Sequence, residues 1–178
     1  MSVWDFDEKK NFTTVLYKGL PFKVLNFPNK IIAAKRLYQA TVFIYELCIK
    51  VYNNIDKVKS PLREMSIVFL SIHPDYYLLQ EMQTGTQFDG MNKPKNVSNN
   101  KYLPSVGSDK TLKAEYRIVF LNLIKPNGKV KSFKELVPLI IHEIAHTGCN
   151  HVTWKDDNHG LDFQLFESYL YYLLRSSI

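Results

Sequence analysis

Residues 139–149 read Leu-Ile-Ile-His-Glu-Ile-Ala-His-Thr-Gly-Cys, and this stretch constrains the fold most. Apart from two histidines and a glutamate it is almost wholly apolar, so a helix built on it must be covered on most of its surface. The same packing draws two imidazoles and a carboxylate toward the interior, where each needs a partner. In a helix, positions i and i+4 lie one turn apart on one face, so His142 and His146 can direct their rings at a single cation. Glu143 is rotated by about 100° from His142. That places it beside the open side of such a cation, where it can take a proton from a bound water. The alternative is a helix with two hydrogen-bonded core histidines, which would need several compensating partners.

The rest of the chain supplies enough material to bury that helix. At 178 residues, with 46% apolar and 13% aromatic side chains, it is the size of one ordinary domain and needs no staples. Two cysteines, Cys48 and Cys149, exclude a disulfide framework and point to a reducing compartment. The opening MSVWDFDEKK has no apolar core of a signal peptide, and no run approaches the roughly 18–20 apolar residues of a membrane span. The expectation is an intracellular protein, cytoplasmic or nuclear, neither secreted nor membrane-bound. The oligomeric state is not legible.

Charge is unevenly spread. Residues 91–134 hold nine lysines and Arg117 against Asp109 and Glu115, a net +8 within a chain of net +6. Such a block is able to meet the phosphates of DNA, and it serves equally as a solvated, lysine-rich surface. The bidentate arginine that dominates base reading is nearly absent from it.

Local patterns predict an α+β fold. Short strands are expected at Val15–Tyr17 and Phe22–Leu25 around a Gly19–Pro21 turn. A long helix is predicted over residues 30–55, with Asn29 as N-cap and one face formed by Ala34, Leu37, Thr41, Ile44, Cys48, Val51 and Ile55. Residues 65–72 read as a buried strand, and 76–82 as extended or a short helix. Residues 83–114, rich in Gly, Asn, Ser, Lys and Pro, read as a long polar loop. A strand follows at 114–123, then an Asn127-Gly128 turn. Ser132 and Glu135 fit a capping box that opens the helix carrying the histidines, with Pro138 either opening its main part or kinking it. Gly148 is a natural stop, near residue 147. A last helix is expected from residue 161, with Leu161, Leu165, Phe166, Tyr169, Leu170, Leu173 and Leu174 inward.

A catalytic zinc needs a third protein ligand and an open position. The candidates are His159, His151, and the carboxylates Asp156, Asp157, Asp162 and Glu167. In the pattern HExxHxxGxxH both Gly148 and His151 would arrive one position early. Glu167 lies in the last helix with no neighbouring signature. His159-Gly160 falls where that helix begins, Phe163 can anchor it in the core, and the 12 residues after His146 suffice to leave the first helix and return. His159 is therefore preferred, with His151 in a loop or supporting role. Asp157 or Asp162 can orient a ligand or cap a helix. Tyr169, Tyr171 and Tyr172 are candidate oxyanion donors, Trp154 can line the cleft or pack, and Cys149 reads as a small buried residue, since a fourth ligand would close the site.

With these residues in place, the chain resembles the WLM-type and SprT-type zinc metallopeptidases. The resemblance rests on His142-Glu143-Ile144-Ala145-His146 followed by His159-Gly160-Leu161-Asp162-Phe163. Ahead of them, Asn92-Lys93-Pro94-Lys95, Arg117–Asn122, Phe133 and Glu135 are WLM-like, and 150–160 is similar to versions encoded by large DNA viruses. It covers roughly residues 88–170. No cysteine pairs for a zinc ribbon are present. The resemblance implies a zincin-like α+β fold: a small mixed sheet, a long supporting helix, an HExxH helix, and the strand near 116–123 as the edge along which an extended substrate lies. It also implies a zinc-dependent endopeptidase acting on intracellular proteins, in some members those attached to DNA. His142, His146 and His159 would hold Zn²⁺, and Glu143 would act as general base. The rival reading is a nucleic-acid-binding protein with a non-catalytic metal site.

Overall fold

The protein, seen as a computed structural model, is described for residues 12–71, 74, 77–82, 90–95, 116–153 and 160–175. The chain opens with a hairpin of β1 (Phe12–Tyr17) and β2 (Leu20–Leu25) in antiparallel register, Tyr17 opposite Leu20. Its two turn residues, Lys18 and Gly19, have φ of 50° and 80°, the left-handed pair that matches strand twist in a two-residue loop.

Helix α1 (Lys30–Asn54) then crosses the hairpin and continues into a 3-10 turn at Ile55–Lys57. Its buried face is the one the spacing predicts, with Ala34, Leu37, Ile44, Cys48 and Val51 buried together with Ala33, Ala40, Phe43 and Leu47. Asn29 stands at the cap position but makes no side-chain cap bond. Burial pushes the Cys48 thiol up to about 12, so it is a neutral packing group.

Residues expected as a strand at 65–72 form helix α2 (Leu62–Ser71) instead. Met65, Ser66 and Phe69 are buried, a helical spacing, while Ile67 faces out. Ser66 satisfies its buried hydroxyl by donating to the Leu62 carbonyl at 2.7 Å, and Ser60 donates to the Glu64 carboxylate in the first turn. A short apolar run does not by itself separate helix from strand.

Three further strands, β3 (Tyr77–Glu81), β4 (Gly90–Lys95) and β5 (Tyr116–Leu121), complete a five-stranded mixed sheet of order β1-β2-β3-β5-β4. Two expectations change here. Residues 90–95 are a strand within the stretch read as a loop, whose remainder from 83 to 114 lies outside the described residues. And β5 is interior, parallel to β3 and antiparallel to β4, so the edge is β4. Gly-Met-Asn-Lys-Pro-Lys lacks alternating apolar residues, but lysines and proline are what an edge strand tolerates.

On β3, Tyr77, Leu79 and Glu81 turn inward. Among the described residues, one register pair, Lys23 opposite Gln80, joins β2 to β3. The buried Glu81 reinforces that joint, its Oε1 accepting from the Leu25 amide at 2.8 Å.

Helix α3 (Phe133–Thr153) lies against β4 and β5 on one side and against α2 and α4 (Leu161–Arg175) on the other. The capping box forms as predicted: Glu135 N donates to Ser132 Oγ at 3.2 Å and Ser132 N to Glu135 Oε1 at 3.1 Å. The Lys125 ammonium, 2.9 Å away, and those bonds hold the Glu135 carboxyl down to about 2. Pro138 sits inside the continuous helix. One core cluster takes in residues of all four helices and the sheet. Among the described residues, no helix is long and apolar enough to cross a membrane.

Gly148 is not a stop, since α3 runs on to Thr153. It is a contact residue: a Cβ there would stand 2.6 Å from the Phe166 ring. That ring is fully buried and packs edge-on to Phe69 at 5.6 Å, so it has nowhere to go. Gly148→Ala is therefore expected to destabilise by about 1–2 kcal/mol in urea unfolding, overpacking outweighing alanine's better helix propensity. A gain in stability would show that the two helices separate freely. Helix α4 also presents a slightly different face from that expected: Phe163, Phe166, Tyr169, Leu170 and Leu173 are buried, while Leu161 and Leu165 are exposed.

Candidate metal centre

The site is assembled where α3 passes between the sheet edge and α4. His142 and His146, one turn apart, hold their rings edge to face with centroids 5.2 Å apart. Two imidazoles on one tetrahedral zinc, with Zn–N near 2.1 Å, would have centroids about 5.3 Å apart. The centroid spacing matches that of two imidazoles on one ion. Phe163, buried on α4, backs both rings, at 5.0 Å from His142 and 4.5 Å from His146. It limits their rotation and shields that side from water.

Glu167, one turn further along α4 than Phe163, places Oε2 3.0 Å from His142 Nδ1. In the tautomer with the proton on Nδ1, that nitrogen donates to the carboxylate and Nε2 carries the lone pair, the usual way a carboxylate orients a ligating imidazole. Glu167 entered the sequence reading only as one of several possible ligands. The signal that could have found this role is its spacing of four from Phe163, which puts both on one face of the helix.

Glu143 is buried, at 5% exposure, and faces β4. Its carboxylate lies against the backbone of Gly90. Asn92, two residues on, donates from Nδ2 to the Glu143 carbonyl at 2.7 Å and to Thr147 Oγ1 at 3.0 Å. Neither role of Gly90 and Asn92 was legible beforehand, because the partner helix is about 50 residues away in sequence.

The other candidates are distributed as follows. His151 belongs to the last turn of α3, and at 100° per residue its position is about 180° round the helix from His142. His159, Asp156, Asp157 and Trp154 lie outside the described residues. Asp162 is in the first turn of α4. Cys149 is buried with Sγ 3.4 Å from Met65 Sδ, and burial, then the nearby charge of Asp162, pushes its thiol up to about 12. It is a packing residue, as its sequence position suggested. Tyr169 is in the core and Tyr172 is 63% exposed. The Tyr171 hydroxyl is shifted upward by burial and then by the charge of Glu167. Among the described residues, no group of three His, Cys, Asp or Glu side chains is disposed to hold a metal ion. No family model, curated protein or solved structure matches the chain.

Proposed function

We propose that this chain is a zinc-dependent endopeptidase with a zincin-like arrangement, as the resemblance to WLM-type and SprT-type enzymes implies. The observation that carries the reading is the His142–His146 pair at tetrahedral spacing, with the Glu143 carboxylate beside the sheet edge. The third ligand we assign to His159. Two placements support that choice: Glu167 is engaged with the far nitrogen of His142, and position 151 falls on the opposite side of α3. The first turn of α4, which follows residue 159, brings Phe163 directly against both rings.

When bound, zinc supplies Lewis acidity and lowers the pKa of a water. Glu143 would serve as the general base there, taking up a proton at its carboxylate and passing it to the leaving amine. Glu167 fixes the tautomer and orientation of His142. Phe163 keeps bulk water off the back of the imidazole pair. The extended substrate adds to the outer edge of β4, the end strand of the sheet among the described residues, through main-chain hydrogen bonds. Its class is intracellular protein, including protein attached to DNA, for which the basic 91–134 stretch offers a phosphate-facing surface.

Metal analysis tests the reading most directly. Purified wild type is expected to carry about one zinc per chain. His159→Ala should lose it and His151→Ala should keep it. A metal-free wild type would end the proposal, and the reverse result for the two variants would move the third ligand to His151.

A further inference from the structure

We propose that β4 positions the general base: Gly90 and Asn92 together fix the Glu143 carboxylate, so that the edge strand sets the geometry of proton transfer. This rests on the peptidase reading above and adds to it two residues that no metal or acid–base motif contains.

In the antiparallel register Gly90 stands opposite Leu121 and Asn92 opposite Val119. Directly paired residues share a face, Val119 and Leu121 belong to the core cluster, and the contacts of positions 90 and 92 with Leu139, Glu143 and Thr147 place both toward α3. There the missing side chain of Gly90 is occupied by Glu143. A Cβ at Gly90 would fall 2.8 Å from Glu143 Oε2, 3.0 Å from Glu143 Cγ and 2.9 Å from Leu139 Cδ1. The contact thus runs along Glu143 from its middle to its carboxylate and is closed on the other side by Leu139. A flexible chain tip alone could swing aside, but this one would have to shift from Cγ outward. Asn92 acts on the same residue's main chain, tying the Glu143 carbonyl and the Thr147 hydroxyl to the strand. Side chain and backbone of the base are therefore both held by one strand, and a substrate paired to that strand's outer edge is placed by the same element. The side-chain positions of Gly90 and Asn92 face α3, away from the outer edge that the substrate pairs with, and act through Glu143.

The test compares wild type, Gly90→Ala, Glu143→Asp and the double variant as zinc-loaded full-length proteins, on a short fluorogenic peptide and with rates expressed per bound zinc. A displacement of roughly half an ångström should lower kcat about tenfold in Gly90→Ala, with KM and zinc content unchanged. Glu143→Asp withdraws the carboxylate oxygen that the new Cβ would meet at 2.8 Å, so its penalty should be at least about fivefold smaller in the Gly90→Ala background than alone. Additive effects, or Gly90→Ala with wild-type kcat per zinc, overturn the proposal while leaving the peptidase reading intact. Should Gly90→Ala not fold, Asn92→Leu decides: kcat about fivefold lower at unchanged KM and zinc content supports positioning, and an unchanged kcat overturns it. A wild type that holds zinc yet cleaves no peptide removes the peptidase reading, and this inference with it.

Discussion

Glu143→Gln is expected to abolish peptide hydrolysis while zinc content and fold stay as in wild type. The change is nearly isosteric, so the buried side chain still fills the space against Gly90 and Leu139. Neither histidine nor Phe163 is altered, so the imidazole pair keeps its spacing. What disappears is the capacity to accept a proton, a contribution of about 10²–10⁴ in rate for a positioned acid–base residue. Cleavage of a denatured labelled protein, zinc by elemental analysis and far-UV circular dichroism on the same preparations check the three parts. Residual activity above about one-tenth of wild type would place the base elsewhere. The variant also separates the two functions that the sequence allows. DNA binding that weakens with salt and survives Glu143→Gln would mark the 91–134 block as a surface independent of the site.

The parts of this molecule that were legible in sequence are those encoded locally. The helical face of α1 follows from spacings of three and four, and the hairpin from Gly19 between two β-branched or aromatic runs. The start of α3 follows from Ser132 and Glu135, whose two side chains satisfy each other's amides. His142 and His146 are one turn apart in any helix, so their meeting needs only that the helix form. What was hidden depends on partners far away in the chain. Gly148 looks like a helix end until Phe166 is seen to occupy the place of its Cβ. Gly-Met-Asn-Lys-Pro-Lys carries no apolar alternation, and its pairing with β5 makes it a strand. The strand order is a property of the whole sheet, so the edge moved from the apolar β5 to the polar β4. Glu167 and Asn92 sit on other elements than the residues they serve, and no spacing connects them to α3.

Glu81 should make the fold weaker as pH rises, and Glu81→Gln should remove that dependence. The carboxyl is 1% exposed, with Oε1 accepting from Leu25 N and a buried Oε2 that has no hydrogen-bond partner among the described residues. Burial raises its pKa from 4.5 to about 7, against which the Leu25 bond acts in the opposite direction. A carboxyl whose pKa is higher folded than unfolded binds more protons in the folded state across the interval between the two values. Below about pH 4.5 both states are neutral and no charge is buried. As pH rises through about 7 the folded state must hold a desolvated anion, and stability falls by up to about 3 kcal/mol. Glutamine keeps an oxygen for Leu25 and cannot ionise, although its amide hydrogens then lack a partner. Urea unfolding at pH 5 and pH 8 should therefore show the variant gaining on wild type by about 1–3 kcal/mol between the two conditions, all other titrations being common to both proteins. Parallel pH profiles for the two proteins would mean that Glu81 is neutralised by a partner and does not carry the charge into the core.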